Sequence, residues 1–167
     1  SRYANRVIGY RINSGVTIEW LGWTARPGRV KDFSAPNKEA FVHFAASRYP
    51  ELANPHVPSR EERQALDAPN DILWDRKRHL NAIAYTEYSS WIIARDILEA
   101  CGHAKDVLKS LGRTKLVGTF YGYTYFLNST GCDAWRGHFA LSEILENNAG
   151  RIDFLMSPQS YSQRRLA

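Results

Sequence analysis

A chain of 167 residues with a formal net charge of +5 has the length of one ordinary domain or of a piece of a larger one. Hydrophobic residues make up 44% and charged residues 23%, so there is enough apolar mass to offset chain entropy, which excludes a disordered tail. Only 11 Gly, 7 Pro and 2 Cys are present, which excludes a collagen-like chain and a disulfide scaffold.

The first element predicted is a strand over Val7-Ile8-Gly9-Tyr10, reaching to about Ile12. A long excursion over about 21–69 follows, holding six of the seven prolines. It offers two modest helices. One covers about 37–48 with Asn37 as its cap, and the other starts at Ser59, where Ser59-x-x-Glu62 matches a capping box. Residues 70–111 read as strongly helical. Leu80, Ile83, Ala84, Tyr88, Trp91, Ile92, Leu98 and Cys101 form an apolar face, Asn81, Ser89, Asp96 and Glu99 fall off it, and Gly102 is a candidate stop.

A second strand is predicted over Leu116-Val117-Gly118-Thr119-Phe120-Tyr121, and a helix over about 136–147, with Phe139, Leu141, Ile144 and Leu145 at helical spacing. A third strand covers Ile152-Asp153-Phe154-Leu155-Met156. The strands lack clean alternation, as expected of parallel strands covered on both faces. Alternating strands and helices imply an α/β fold with a parallel sheet. Three strands in this length fall short of a (β/α)8 barrel, which needs about 250 residues, and of a five-stranded doubly wound sheet. The reading is therefore one domain over 1–167 that forms part of a TIM barrel, with the excursion inserted after its first strand. The chain starts at Ser1 and its only methionine is Met156, so a segment of a longer protein is expected.

The basic residues are scattered. Their tightest group, Arg76-Lys77-Arg78 beside Asp71 and Asp75, reads as a solvated helix start, and nucleic acid is not expected as a partner. Cys101 and Cys132 have no CxxC context and no His at ligand spacing, so no metal is implied. No apolar run of about 18 residues spans a membrane, and no charged n-region followed by an h-region opens the chain.

Residues suited to chemistry collect after the strands. Asn13, Ser14, Gly15, Glu19, Trp20 and Trp23 follow the first. Tyr121, Tyr123, Tyr125, Phe126 and Asn128 follow the second, and Ser157, Pro158, Ser160, Tyr161 and Arg164 the third. Indoles and phenols stack on sugar C–H faces, and carboxylates do acid–base work, so the set points to carbohydrate. Glu19 between Ile18 and Trp20 reads either as a surface loop glutamate or, in an apolar setting that would raise its pKa, as the general acid of glycosidic cleavage. Asp153 lies inside an apolar run and calls for a structural hydrogen-bond partner. His138 after Gly137 reads as a capping or packing histidine, with a ligand contact left open.

The stretches Val7-Ile8-Gly9-Tyr10, Gly15-x-x-x-Glu19-Trp20, Val57-Pro58-Ser59-Arg60-Glu61-Glu62-Arg63, Phe120-Tyr121-Gly122-Tyr123, Gly137-His138-x-Ala140-Leu141 and Ile152 to Tyr161 together resemble the middle of β-galactosidase-like glycoside hydrolases. These are the family 42-like members of the retaining (β/α)8 clan. The resemblance implies that the three strands are the fourth to sixth of the barrel. It implies that Glu19 is the general acid/base and that the nucleophile lies outside this chain. Asn13, Trp20, Trp23, Tyr121, Tyr123, Ser157 and Tyr161 would contact the sugar, with no cofactor and no metal. The implied partners are a carbohydrate substrate and the remainder of the barrel, and homo-oligomerisation of the parent is left open. Ile18 stands where the clan usually carries an asparagine, which keeps open the alternative of a non-catalytic carbohydrate-binding barrel protein. A basic nucleic-acid module is the reading from a third class, and it would bind with a steep salt dependence.

Overall fold

Hydrogen bonding gathers Gly9–Ile12 (β1), Leu116–Phe120 (β2) and Phe154–Met156 (β3) into a parallel sheet in the order β1-β2-β3. The computed structural model describes residues 3, 5–14, 20, 32–59, 61–62, 75–122 and 137–157. Gly9 to Ile12 lie opposite Leu116 to Thr119, and Gly118 to Phe120 lie opposite Phe154 to Met156. Among the described residues the helices with both ends defined are α1 (Ala35–Arg48), α2 (Arg76–Ser110) and α3 (Leu141–Glu146).

The strand order never reverses. Parallel crossovers are nearly always right-handed, so connections that step in one direction place their helices on one face. The contacts agree: α2 touches β1, β2 and α3. On that face Val117, Tyr121, Ile12 and Leu155 pack with Ile93, Ala94, Ile97, Leu98, Cys101 and Ile144 in one apolar cluster. The opposite face carries Arg11, Leu116, Gly118, Phe120, Phe154 and Met156. There Leu116 is 49% and Met156 37% exposed, and the Arg11 guanidinium lies 4.4 Å from the Phe120 ring centroid. Coverage on both faces was the expectation, and among the described residues only the helix-side face is covered.

The 35-residue α2 is the spine. It kinks at His79, where φ is −119° and ψ 21°, and the continuous helix beyond the kink is about 45 Å long at 1.5 Å per residue. Its N-terminal half packs Ala82, Ala84, Tyr85 and Tyr88 against Phe41, Phe44 and Ala45 of α1, with Tyr49 and Val57 beyond. Its C-terminal half packs on the sheet. Asp75 caps it by accepting from the Lys77 N–H at 2.9 Å. Arg76 pairs with Glu51 and Arg78 with Asp75, so the basic triplet is a solvated, paired helix start. Gly102 does not stop the helix. Its missing side chain is covered by the Arg151 stem, and a Cβ there would stand 3.2 Å from Arg151 Cδ. The stop is Gly112, at φ +62°, in a Schellman motif. The Arg113 N–H donates to the Leu108 carbonyl and the Gly112 N–H to that of Lys109. Ser89 lies inside the apolar face, where its hydroxyl donates to the Tyr85 carbonyl at 2.8 Å.

α1 starts earlier than its sequence suggests. Ser34 is the cap, held by Asp32. Asn37 instead reaches across to α2, donating to the Tyr85 hydroxyl and accepting from the Tyr88 hydroxyl. α3 is shorter than the expected helix. Only Ile144 of the four apolar positions named for it is buried, while Phe139, Leu141 and Leu145 are exposed. Asp153 has the structural partners its setting calls for. Its carboxylate accepts from the Val117 N–H at 2.7 Å and pairs with Lys105, which holds it below the usual aspartate pKa.

The capping box in the excursion forms with both arms. Ser59 Oγ accepts from the Glu62 N–H at 3.2 Å, and Glu62 accepts from the Ser59 N–H at 2.6 Å. Glu62 also faces His56 Nε2 at 2.8 Å, while His56 Nδ1 faces the Asn54 carbonyl at 2.9 Å. The side chain of Asn81 on α2 clasps the His56 backbone. Two acceptors flank the ring, so the Asn54 carbonyl and then Glu62 raise the His56 pKa. Burial works against ionised Glu62, but the Ser59 N–H and His56 hold its pKa below the ordinary value. The His56 contribution is complete below its unfolded pKa and is lost as pH rises through its raised folded value. The Glu62 contribution is complete above its unfolded pKa and is lost as pH falls through its lowered one. The clasp therefore contributes in full between the two unfolded pKa values and weakens outside that window. In an NMR titration His56 is expected above about 6.5, the value of an unperturbed histidine, and Glu62→Gln should lower it. A value at or below the unperturbed one, unchanged in that variant, would show no clasp.

Candidate functional site

The C-terminal ends of parallel strands gather the loops where α/β proteins bind ligands. Here that rim is organised by His138. Gly137 lets the chain pass close under α2. Its φ is +82°, and a Cβ would fall 2.2 Å from Ile93 Cδ1 and 3.1 Å from the Ser89 carbonyl. His138 then points into the rim and is 1% exposed. Its Nδ1 accepts from the Gly122 N–H at 3.1 Å, so that nitrogen carries the lone pair. Its Nε2 therefore carries the proton and donates to the Trp20 carbonyl at 2.8 Å. One neutral imidazole thus ties together the chain after β1, the chain after β2 and the approach to α3.

Tyr121 completes the knot. Its ring stacks on the His138 ring with centroids 4.6 Å apart and planes 17° apart. Its hydroxyl accepts from the Ala140 N–H at 2.8 Å, just before α3. Burial pushes its phenol up to about 12, with the Ala140 N–H pulling the other way. At the end of β1 the Ile12 carbonyl accepts twice, from Thr119 Oγ1 at 2.7 Å and from Trp20 Nε1 at 3.3 Å. Ser157 Oγ donates to the Gly122 carbonyl at 2.9 Å, joining the ends of β3 and β2.

The residues expected to touch sugar separate into three groups. Asn13 and Ser157 are exposed on the rim. Trp20 is half-buried, anchored through its indole N–H and its carbonyl, and packed against the sheet core. Tyr121 is 2% exposed, and one face of its ring is taken by His138, so it positions the rim from within instead of offering a stacking face. Glu19, Trp23, Tyr123 and Tyr161 lie outside the described residues. The described part of the rim carries no carboxylate, and among the described residues no three His, Cys, Asp or Glu side chains are grouped to hold a metal ion. Cys101 is a free, buried thiol whose pKa burial pushes up to about 11. No helix among the described residues is long and apolar enough to cross a membrane.

Sequence reasoning did not single out Thr119, and it read His138 as a capping or packing side chain with a ligand contact left open; the side chain is buried and packed on Tyr121. The available signal was the Gly137-His138 pair, a glycine that permits a positive φ just before a polar ring. No protein-family model, no curated protein and no solved structure matches the chain.

His138→Leu is expected to destabilise the fold by about 2 kcal/mol, because it leaves the Gly122 N–H and the Trp20 carbonyl without their partner. Denaturant unfolding monitored by tryptophan fluorescence measures this. Unchanged stability would mean that the loops hold together without the imidazole.

Proposed function

We propose that the chain is the central part of a glycoside hydrolase barrel, with β1, β2 and β3 as the fourth, fifth and sixth strands, acting on a β-linked, galactoside-like sugar at the strand-end rim. Glu19 protonates the leaving oxygen and then activates water, and the nucleophile lies outside this chain. Asn13, Trp20, Trp23, Tyr123, Ser157 and Tyr161 shape the sugar site, and Tyr121 and His138 fix the backbone at Gly122, Trp20 and Ala140.

The observation that carries the reading is the one-sided sheet. Its strands run parallel in sequence order, and its helices share one face. A doubly wound sheet reverses its strand order and covers both faces, whereas a barrel wall continues in one direction and keeps its helices outside. The anchoring of Trp20 adds to this. The residue next to Glu19 in sequence is tied by two hydrogen bonds at the C-terminal end of the sheet, the end at which barrel enzymes place their catalytic groups.

Ile18 favours a second reading, a barrel that binds sugar without cleaving it, since the clan usually places an asparagine there to hold a sugar hydroxyl. A panel of nitrophenyl glycosides assayed with the parent protein, including the strands that follow β3, separates the two. Hydrolysis of one glycoside supports the enzyme and names its sugar. Saturable sugar binding without hydrolysis supports the binder. If neither occurs, and a nucleic acid binds with a steep salt dependence, both readings fail.

A further inference from the structure

At the other end of the sheet from the rim, the C-terminal end of α2 and the turn into β2 enclose a groove of about 350 Å³. Lys105, Lys109, Arg113 and Lys115 line it, with Asp106 as the acidic residue among them and Leu108 as an apolar floor. Lys105 is committed, since it pairs with Asp153 and donates to the Lys115 carbonyl. The other three cations have no carboxylate within ion-pair distance among the described residues. Arg113 and Lys115 are nevertheless half-buried.

A lysine near a helix end ordinarily answers the helix dipole and the open carbonyls of the last turn. That explanation suits Lys109. It does not suit Arg113 and Lys115, which lie beyond the Schellman motif, where the Leu108 and Lys109 carbonyls already have backbone partners. Cations left without a carboxylate partner favour a counter-charge beside them. Guanidinium and ammonium side chains lining one groove suit the oxygens of a phosphate or sulfate group. The volume is near the lower end of small-molecule sites, which limits the occupant to a compact group.

We propose that this groove is a binding site for a small polyanionic ligand of the phosphate-ester or pyrophosphate class, with Arg113 and Lys115 as its main contacts and Lys109 at its mouth. The site is separate from the sugar rim and does not depend on that reading.

The test is an NMR titration of the ¹⁵N-labelled full chain with inorganic pyrophosphate at constant ionic strength, with sodium chloride as the control. Saturable shifts are expected at the amides of Gly112, Arg113, Thr114 and Lys115. The double variant Arg113→Gln, Lys115→Gln should bind about tenfold more weakly or worse. Asp106→Asn removes the carboxylate from the lining and should bind about threefold more tightly. That second variant decides the matter if the first fails to fold. Shifts that never saturate and match those of sodium chloride would overturn the proposal. So would unchanged affinity in a folded double variant, or no tightening in Asp106→Asn. A single-stranded oligonucleotide forms the last arm. If it binds more tightly than pyrophosphate, with shifts spread well beyond the groove, the small-ligand assignment also falls.

Discussion

In the parent protein, Glu19→Gln is expected to lower turnover of a β-linked glycoside by about 10²–10⁴-fold with the fold retained, the contribution expected of a general acid/base. Glutamine matches glutamate in size but cannot give up a proton to the leaving oxygen or take one from water. The deficit should depend on the leaving group. A nitrophenolate departs with little help, so formation of the glycosyl-enzyme should be slowed less for nitrophenyl glycosides than for a disaccharide. The hydrolysis step needs the base whatever the leaving group. The pH profile gives a second readout, since the limb that reports the essential acid should be lost in the variant. Near-normal turnover on a disaccharide would remove Glu19 from the mechanism.

Gly118→Ala is expected to destabilise the chain by about 3 kcal/mol, at the high end for overpacking. A Cβ at this position would fall 2.2 Å from the Phe154 carbonyl oxygen and 2.6 Å from two atoms of the Phe154 ring. The ring could swing outward toward the open face of the sheet. The carbonyl cannot, because it belongs to the backbone of β3, and Gly118 is paired with Phe154 in register. Relief therefore requires β2 and β3 to move apart. Denaturant unfolding measures the loss, and Phe154→Ala in the same background separates the two sources of clash. If trimming the ring restores most of the stability, the ring was the obstacle and the backbone had room. Full stability in the single variant would mean that the strands are not spaced as they are seen here.

Local signals in the sequence carried well into the structure. The three apolar runs became the three strands, and Ser59-x-x-Glu62 formed both arms of its capping box, because each depends on neighbours a few residues away. Long-range competition explains the departures. Asn37 has the chemistry of a cap, but Tyr85 and Tyr88, far along the chain, claim its side chain, and Ser34 takes the cap. Gly102 resembles a stop, yet the stem of Arg151 covers it. Phe139, Leu141 and Leu145 have helical spacing, but periodicity does not say which face meets a partner, and they remain exposed. At the rim the residue types were legible and their roles less so. Tyr121 was expected to face a ligand and is packed on His138, an arrangement that depends on a ring seventeen positions away and on Trp20 much further off.

α2 joins an aromatic core at one end to the sheet core at the other. Midway between them, at Ser89 and Ile93, Gly137 presses against it from the loop that carries His138. A helix yields little at its middle, because bending there strains its i→i−4 hydrogen bonds. Gly137 therefore stands where the two cores meet along α2, so a side chain added there would press on the stretch of helix that both cores share.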